Sequence, residues 1–139
     1  MIVSLHIATG AAGGALVRSP AAAALLGPVL HFLGDRMPHE DIASRRFEIG
    51  CGVVGVLALA AVRGPLDGAT VGAVAASVPD VEHVLPLPRP GGRKLFPSHR
   101  IRGWHRAGGL SASAQLLIAG ALFGAVLSAG LGRSNNRDR

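Results

Sequence analysis

The chain has 139 residues, room for one domain, and 49% of them are hydrophobic against 16% charged. Glycine supplies 20 positions, tyrosine is absent, and the single cysteine, Cys51, excludes an intrachain disulfide framework. A net charge of +6 on so apolar a chain argues against nucleic acid and for anionic lipid headgroups, because the cytoplasmic loops of membrane proteins are rich in Lys and Arg.

The predicted elements are helices throughout. Segment one covers about Ile2 to Val17, with His6 its only ionisable side chain. It lacks the basic leader of a signal peptide and reads as a retained helix. Ser19 and Pro20 form an N-cap and first helical position for segment two, which continues to about Met37, where Pro38 ends or kinks it. The polar stretch His39 to Arg46 is a loop. Segment three runs from about Phe47 to Val62, and Arg63-Gly64-Pro65 breaks it. Segment four runs from about Leu66 to Val78, extending to Leu85 if Pro79 causes only a local irregularity.

Residues 86–108 hold four prolines, Pro86, Pro88, Pro90 and Pro97, and the pair Gly91-Gly92, so they form an ordered loop or lid. Segment five covers about Gly109 to Gly132, and 133–139 is a disordered tail. Segment five alone clearly meets the roughly 20-residue length of a membrane span. The spacing Gly-x-x-x-Gly recurs at Gly10/Gly14, Gly68/Gly72 and Gly120/Gly124, which predicts close helix–helix contacts of the membrane type. The expected fold is therefore all-α: a polytopic membrane bundle of about five helices, residues 1–132 forming one domain.

In an up-and-down bundle the start of segment one, the ends of two and four, and the start of five share one end. That end collects His6, His31, Asp35, His39, Asp80, His83, His99 and His105, eight candidate metal ligands. His31 and Asp35 are spaced i,i+4 and Asp80 and His83 i,i+3, so each pair lies on one helix face. Ionisable groups at the end of an apolar helix are costly unless paired or bound to a cation. The blander reading is a set of helix ends with favourable histidines and solvated acids. A divalent ion, zinc by ligand type, in one or two copies, would activate water, with Glu82 or Glu40 taking its proton; Glu82 could instead orient an imidazole. Arg93, Lys94, Arg100, Arg102 and Arg106 would grip an anionic substrate, a phosphoester or phospholipid headgroup. Trp104 suits the headgroup level.

The order Leu5-His6-Ile7, then Pro79-Asp80-Val81-Glu82-His83, then His99-Arg100-Ile101-Arg102-Gly103-Trp104-His105 resembles the bacterial inner-membrane metal-dependent hydrolases described as LexA-binding, the YdjM-like family. That family carries Pro-Asp-x-Asp-His and His-Arg-Gly-x-Thr-His-Ser; here Glu82 replaces the second Asp, and the two histidines stand further apart. His31-Phe32-Leu33-Gly34-Asp35 also resembles a short motif of zinc-dependent phospholipase C and related nucleases. The resemblance implies membrane helices, metal ligands and a hydrolytic activity in a bacterial inner membrane. A non-enzymatic membrane scaffold with a structural metal is the rival function, and no protein partner is indicated.

By topology, nine basic residues (Arg36, Arg45, Arg46, Arg89, Arg93, Lys94, Arg100, Arg102, Arg106) fall on the histidine-rich side and five (Arg18, Arg63, Arg133, Arg137, Arg139) on the other. The positive-inside bias then places the histidine-rich end in the cytoplasm.

Overall fold

The computed structural model describes residues 1–135, and these are helical with no named strand. Helix α1 spans Val3–Val17 and α2 spans Pro20–Gly34; α3 spans Arg45–Arg63 and α4 Gly68–Ser77. A 3-10 turn at Val78–Asp80 leads into the short α5, Val81–Val84. A second 3-10 turn, Pro90–Gly92, and α6, Pro97–Arg100, interrupt the loop before α7, Ala112–Asn135.

The starts of these helices follow from local chemistry. The Ser19 hydroxyl accepts from the Ala22 amide at 3.3 Å with Pro20 next in line, and Ser44 does the same for Phe47 at 3.3 Å. Asp67 accepts from the Ala69 amide at 2.8 Å and pairs with Arg63 at 2.8 Å, which fixes the turn between α3 and α4. The α7 start lies at Ala112 rather than Gly109. Gly108 and Gly109 hold φ of 86° and 81°, outside helical geometry, and a Cβ on Gly109 would lie 2.8 Å from that of Pro38. At the other end α7 continues through Asn135, so residues 133–135 of the expected tail are helical; residues 136–139 lie outside the described residues.

α1 is the central helix, packed against α2, α3, α4 and α7. One core cluster joins Ile7, Ala11, Leu59, Ala69, Ala73 and Val126; another joins Ile2, Leu5, Ala8 and Ala119. Two of the three glycine pairs meet each other: Gly10 lies against Gly72 and Gly14 against Gly68, backbone on backbone. The expected third contact is not made. Gly120 and Gly124 have nothing within 4 Å of a would-be Cβ, because that side of α7 faces away from the rest of the chain.

The stretch Ala112–Gly132 is the one helical segment among the described residues long and apolar enough to cross a bilayer; α1 and α2 are apolar but shorter. The start of α7 is tied to the histidine-rich end by Gln115. It is fully buried, accepts from the Ile2 amide at 3.1 Å and donates to the Glu40 and Leu110 carbonyls at 2.8 and 3.2 Å.

Candidate metal centre

The Asp35 carboxylate, 1% exposed, is the hub of the site. It caps the end of α2, one turn beyond His31. Its Oδ1 lies 3.1 Å from His6 Nε2 on α1 and 3.4 Å from the Met1 amino nitrogen. Its Oδ2 lies 3.1 Å from His31 Nε2, 3.4 Å from His99 Nε2 and 3.2 Å from His105 Nε2, and accepts from the Ser98 hydroxyl at 2.5 Å. Asp80 Oδ1 completes the ring, 3.7 Å from His31 Nε2 and 3.6 Å from His99 Nε2. α1, α2, the turn after α4, and α6 each deliver one wall.

The remote sides of the imidazoles decide what the centre can do. His31 Nδ1–H donates to the Ala76 carbonyl at 2.7 Å, and His99 Nδ1–H donates to Glu82 Oε1 at 2.5 Å. In the neutral form, each ring so held presents a bare Nε2 lone pair inward. The two Nε2 atoms stand 3.3 Å apart, with carboxylate oxygens of Asp35 and Asp80 on both sides. Lone pairs and anionic oxygens at such separations repel unless protons or a cation lie among them. Imidazoles held by an acceptor on the far nitrogen are the arrangement of metal-ligating histidines. The buried His6 Nδ1 has no partner among the described residues. Three overlapping groups could hold a metal ion: His6, His31 and Asp80; His31, Asp35 and His99; Asp80, His83 and His99. These donors suit divalent transition metals, and shared members allow two neighbouring ions.

Titration behaviour follows these contacts. Burial works to lower the His99 pKa, but the Asp35 and Glu82 carboxylates more than offset it and raise it. Glu82 is lowered: burial opposes its charge, yet the Leu95 amide, His99 and the Phe96 amide outweigh that. Burial raises Asp80. Burial, and then the neighbouring His99 and Lys94 charges, bring His83 down to about 4.

Several expected roles change. The chain turns at Asp35–Met37, so His39 does not extend the α2 stripe. Its Nδ1–H donates to the Met37 carbonyl at 2.6 Å, and its Nε2 faces the Met1 amino group at 2.5 Å and Asp41 at 3.3 Å. His39 instead pins the loop, pairing with Ala107 and Leu110. Glu40 is exposed, and the hydrogen bonds it makes among the described residues are through its main chain, so it is not placed as a base. Glu82 is buried with both oxygens engaged, by the Leu95 amide at 2.5 Å, the Phe96 amide at 3.2 Å and His99. Its Oε1 faces the His99 imidazole, the orienting arrangement that the sequence also offered for it.

The basic loop also differs from expectation. It docks on α2: Trp104 Nε1–H donates to the Phe32 carbonyl at 3.0 Å, its ring lies 4.2 Å from that of Phe32, and Arg36 stands over it. A cleft of about 570 Å³ opens beside the centre, lined by Asp35, Asp80, His83, His99 and His105. Of the five expected substrate cations only Lys94 lines it, with Nζ 3.2 Å from His83 Nδ1. Arg93, Arg100, Arg102 and Arg106 are exposed on the loop's outer side, where their guanidinium groups keep their water. Arg45 and Glu48, from the first turn of α3, line the cleft too. The sequence placed Arg45 on the histidine-rich side only by its charge, and nothing in it marked Glu48, Ser98 or Gln115, since ordinary polar residues carry no spacing signal.

Fold and centre together define an all-helical protein with buried His/Asp groups able to hold a metal ion. No family model, no curated protein and no solved structure matches the chain.

Proposed function

We propose that this chain is a multi-pass bacterial inner-membrane protein that binds one or two divalent ions, zinc by donor type, and hydrolyses an anionic phosphoester at the membrane surface. The observation that carries the reading is the convergence of His31 Nε2 and His99 Nε2 on Asp35 and Asp80, with both remote nitrogens held by acceptors. The resemblance of residues 79–105 to the YdjM-like hydrolases points the same way.

His31, Asp35, Asp80 and His99 would hold the metal, and a second ion would sit either with His6, beside His31 and Asp80, or with His83, beside Asp80 and His99. When bound, a divalent ion supplies a Lewis acid and lowers the pKa of coordinated water. His105, whose ring is half exposed at the cleft while its Nε2 faces Asp35, takes up the proton on Nδ1. Asp35 fixes that tautomer, Glu82 fixes His99, and Lys94 and Arg45 receive the negative charge of the substrate. The positive-inside bias puts this end in the cytoplasm.

A structural metal in a non-enzymatic scaffold is the second reading, and the complete burial of His6 and His31 favours it. Asp80, His83 and His105 open to the cleft favour hydrolysis. The test is turnover of a soluble chromogenic phosphodiester by the detergent-purified protein, with and without chelator, and in Asp80→Ala. Metal-dependent turnover lost in the variant supports the hydrolase. Tightly bound metal with no turnover of any ester supports the scaffold.

A further inference from the structure

The polar cleft does not end at the metal centre. A second cavity of about 450 Å³ adjoins it, and Val3, Ile49, Asp80 and Val84 belong to the walls of both. Beyond Asp80 the character of the walls changes. The second cavity runs between α1, α3 and α4 past Ile7, Val53, Val56, Leu57 and Val74, and apart from Asp80 its one polar side chain is Ser77. Along α3, from Ile49 to Leu57, it extends about 12 Å at the rise of an α-helix. Its rim is open: Val53, Leu57, Val84 and Leu85 are exposed apolar residues.

We infer that this groove receives an acyl chain of an anionic phospholipid, whose phosphate lies in the polar cleft between Lys94, Arg45 and the metal centre. The inference rests on the hydrolase reading and names its substrate class. Three features single out this occupant. The boundary between charged and aliphatic walls is sharp and falls at Asp80, as the head–tail boundary of an amphiphile requires. The two cations that line the cleft, Lys94 and Arg45, both stand at the head end, where a phosphate oxyanion would pair with them. The exposed apolar rim lets a lipid enter sideways from a bilayer without its tail crossing water, a passage that would forfeit the free energy of apolar burial. A soluble phosphoester would use the cleft and leave the groove bare.

The test uses the full chain in phosphatidylcholine nanodiscs containing a small fraction of phosphatidylglycerol with a photoreactive diazirine in one acyl chain. After illumination, labelled peptides are mapped by mass spectrometry. Labelling should concentrate in residues 49–57 and 81–85. It should fall to the level of phosphatidylcholine carrying the same probe in Val53→Trp, which fills the groove from an exposed position, and in Lys94→Glu, which reverses the charge at the head end. Labelling of α7 around Leu117 and Ile118 serves as the internal reference, since those residues are exposed and do not line the groove. Even labelling of α3 and α7 that ignores both substitutions would overturn the proposal, as would cross-linking of residues 49–57 to a second copy of the chain. Hydrolysis is scored separately on the wild-type protein. Groove-specific labelling without turnover of phosphatidylglycerol or a soluble diester would keep the lipid site and remove the hydrolase; turnover of the soluble diester with even labelling would do the reverse.

Discussion

Replacing Gly10 by Ala puts a methyl group into the close backbone contact between α1 and α4. The new carbon would meet the Gly72 carbonyl oxygen and lie 2.9 Å from the Gly72 carbonyl carbon and 2.6 Å from Ala76 Cβ. Carbon atoms settle at about 3.5–4.0 Å, so α1 and α4 must part by roughly 1 Å. Overpacking of this kind costs roughly 1–3 kcal/mol, and alanine's better helix propensity returns at most about 1 kcal/mol. The expected net is a loss of about 1–2 kcal/mol, read as a melting temperature lower by roughly 5 °C. The damage should also reach the metal centre, because the Ala76 carbonyl holds His31 Nδ1. Gly124→Ala is the matched control: it meets nothing within 4 Å and should leave the melting temperature equal or higher. Thermal melts of both variants in the same detergent decide the matter. A Gly10→Ala protein as stable as wild type, or a Gly124→Ala protein damaged as badly, would refute this account of α1 on α4.

Glu82→Gln should weaken metal binding about 10–100-fold in calorimetric titrations, since it removes the carboxylate that orients His99; an unchanged affinity would show that Glu82 plays no such part. His83 is held near 4 in the fold against its ordinary 6.5, first by burial and then by the neighbouring His99 and Lys94 charges. The unfolded chain therefore binds the extra proton between those values, and this group's contribution to stability falls as pH is lowered from 6.5 to 4. His83→Gln should flatten the dependence of melting temperature on pH in that window, and an unaltered slope would assign the acid sensitivity to other groups. Gln115→Leu strands the Ile2 amide and two loop carbonyls, at a cost of about 1–3 kcal/mol, and a neutral melt would mean that water replaces them.

What the sequence disclosed depended on the range of the physics involved. Helix segments and their capping residues Ser19 and Pro20 were legible because capping acts within one turn. The pairing of His31 with Asp35 was legible for the same reason: four residues of helix leave no doubt which face each occupies. His39 was misread because three residues of turn, Asp35–Met37, rotate the chain out of register, and only contacts with Ala107 and Leu110 set its new direction. The glycine spacing foretold the α1–α4 contact but said the same of Gly120 and Gly124, since spacing shows that a close approach is possible and not whether a partner helix is there. Within the basic loop, α6 turns Ser98 and His99 inward and leaves Arg100 and Arg102 outside. That choice is made by Glu82 and Asp35, distant in sequence, so charge patterning alone does not tell that Lys94 lines the cleft and the four loop arginines do not.

The central claim is that the converging imidazoles and carboxylates hold a divalent ion, and metal stoichiometry tests it most directly. The detergent-purified protein, equilibrated with zinc and freed of excess by gel filtration, is analysed by inductively coupled plasma mass spectrometry beside Asp35→Ala and Asp80→Ala proteins that retain their helical circular dichroism. The account predicts about one or two zinc ions per wild-type chain, the number its donors can coordinate, and loss of metal in both variants. Wild-type protein that retains no metal, or variants that retain as much as wild type, would contradict it.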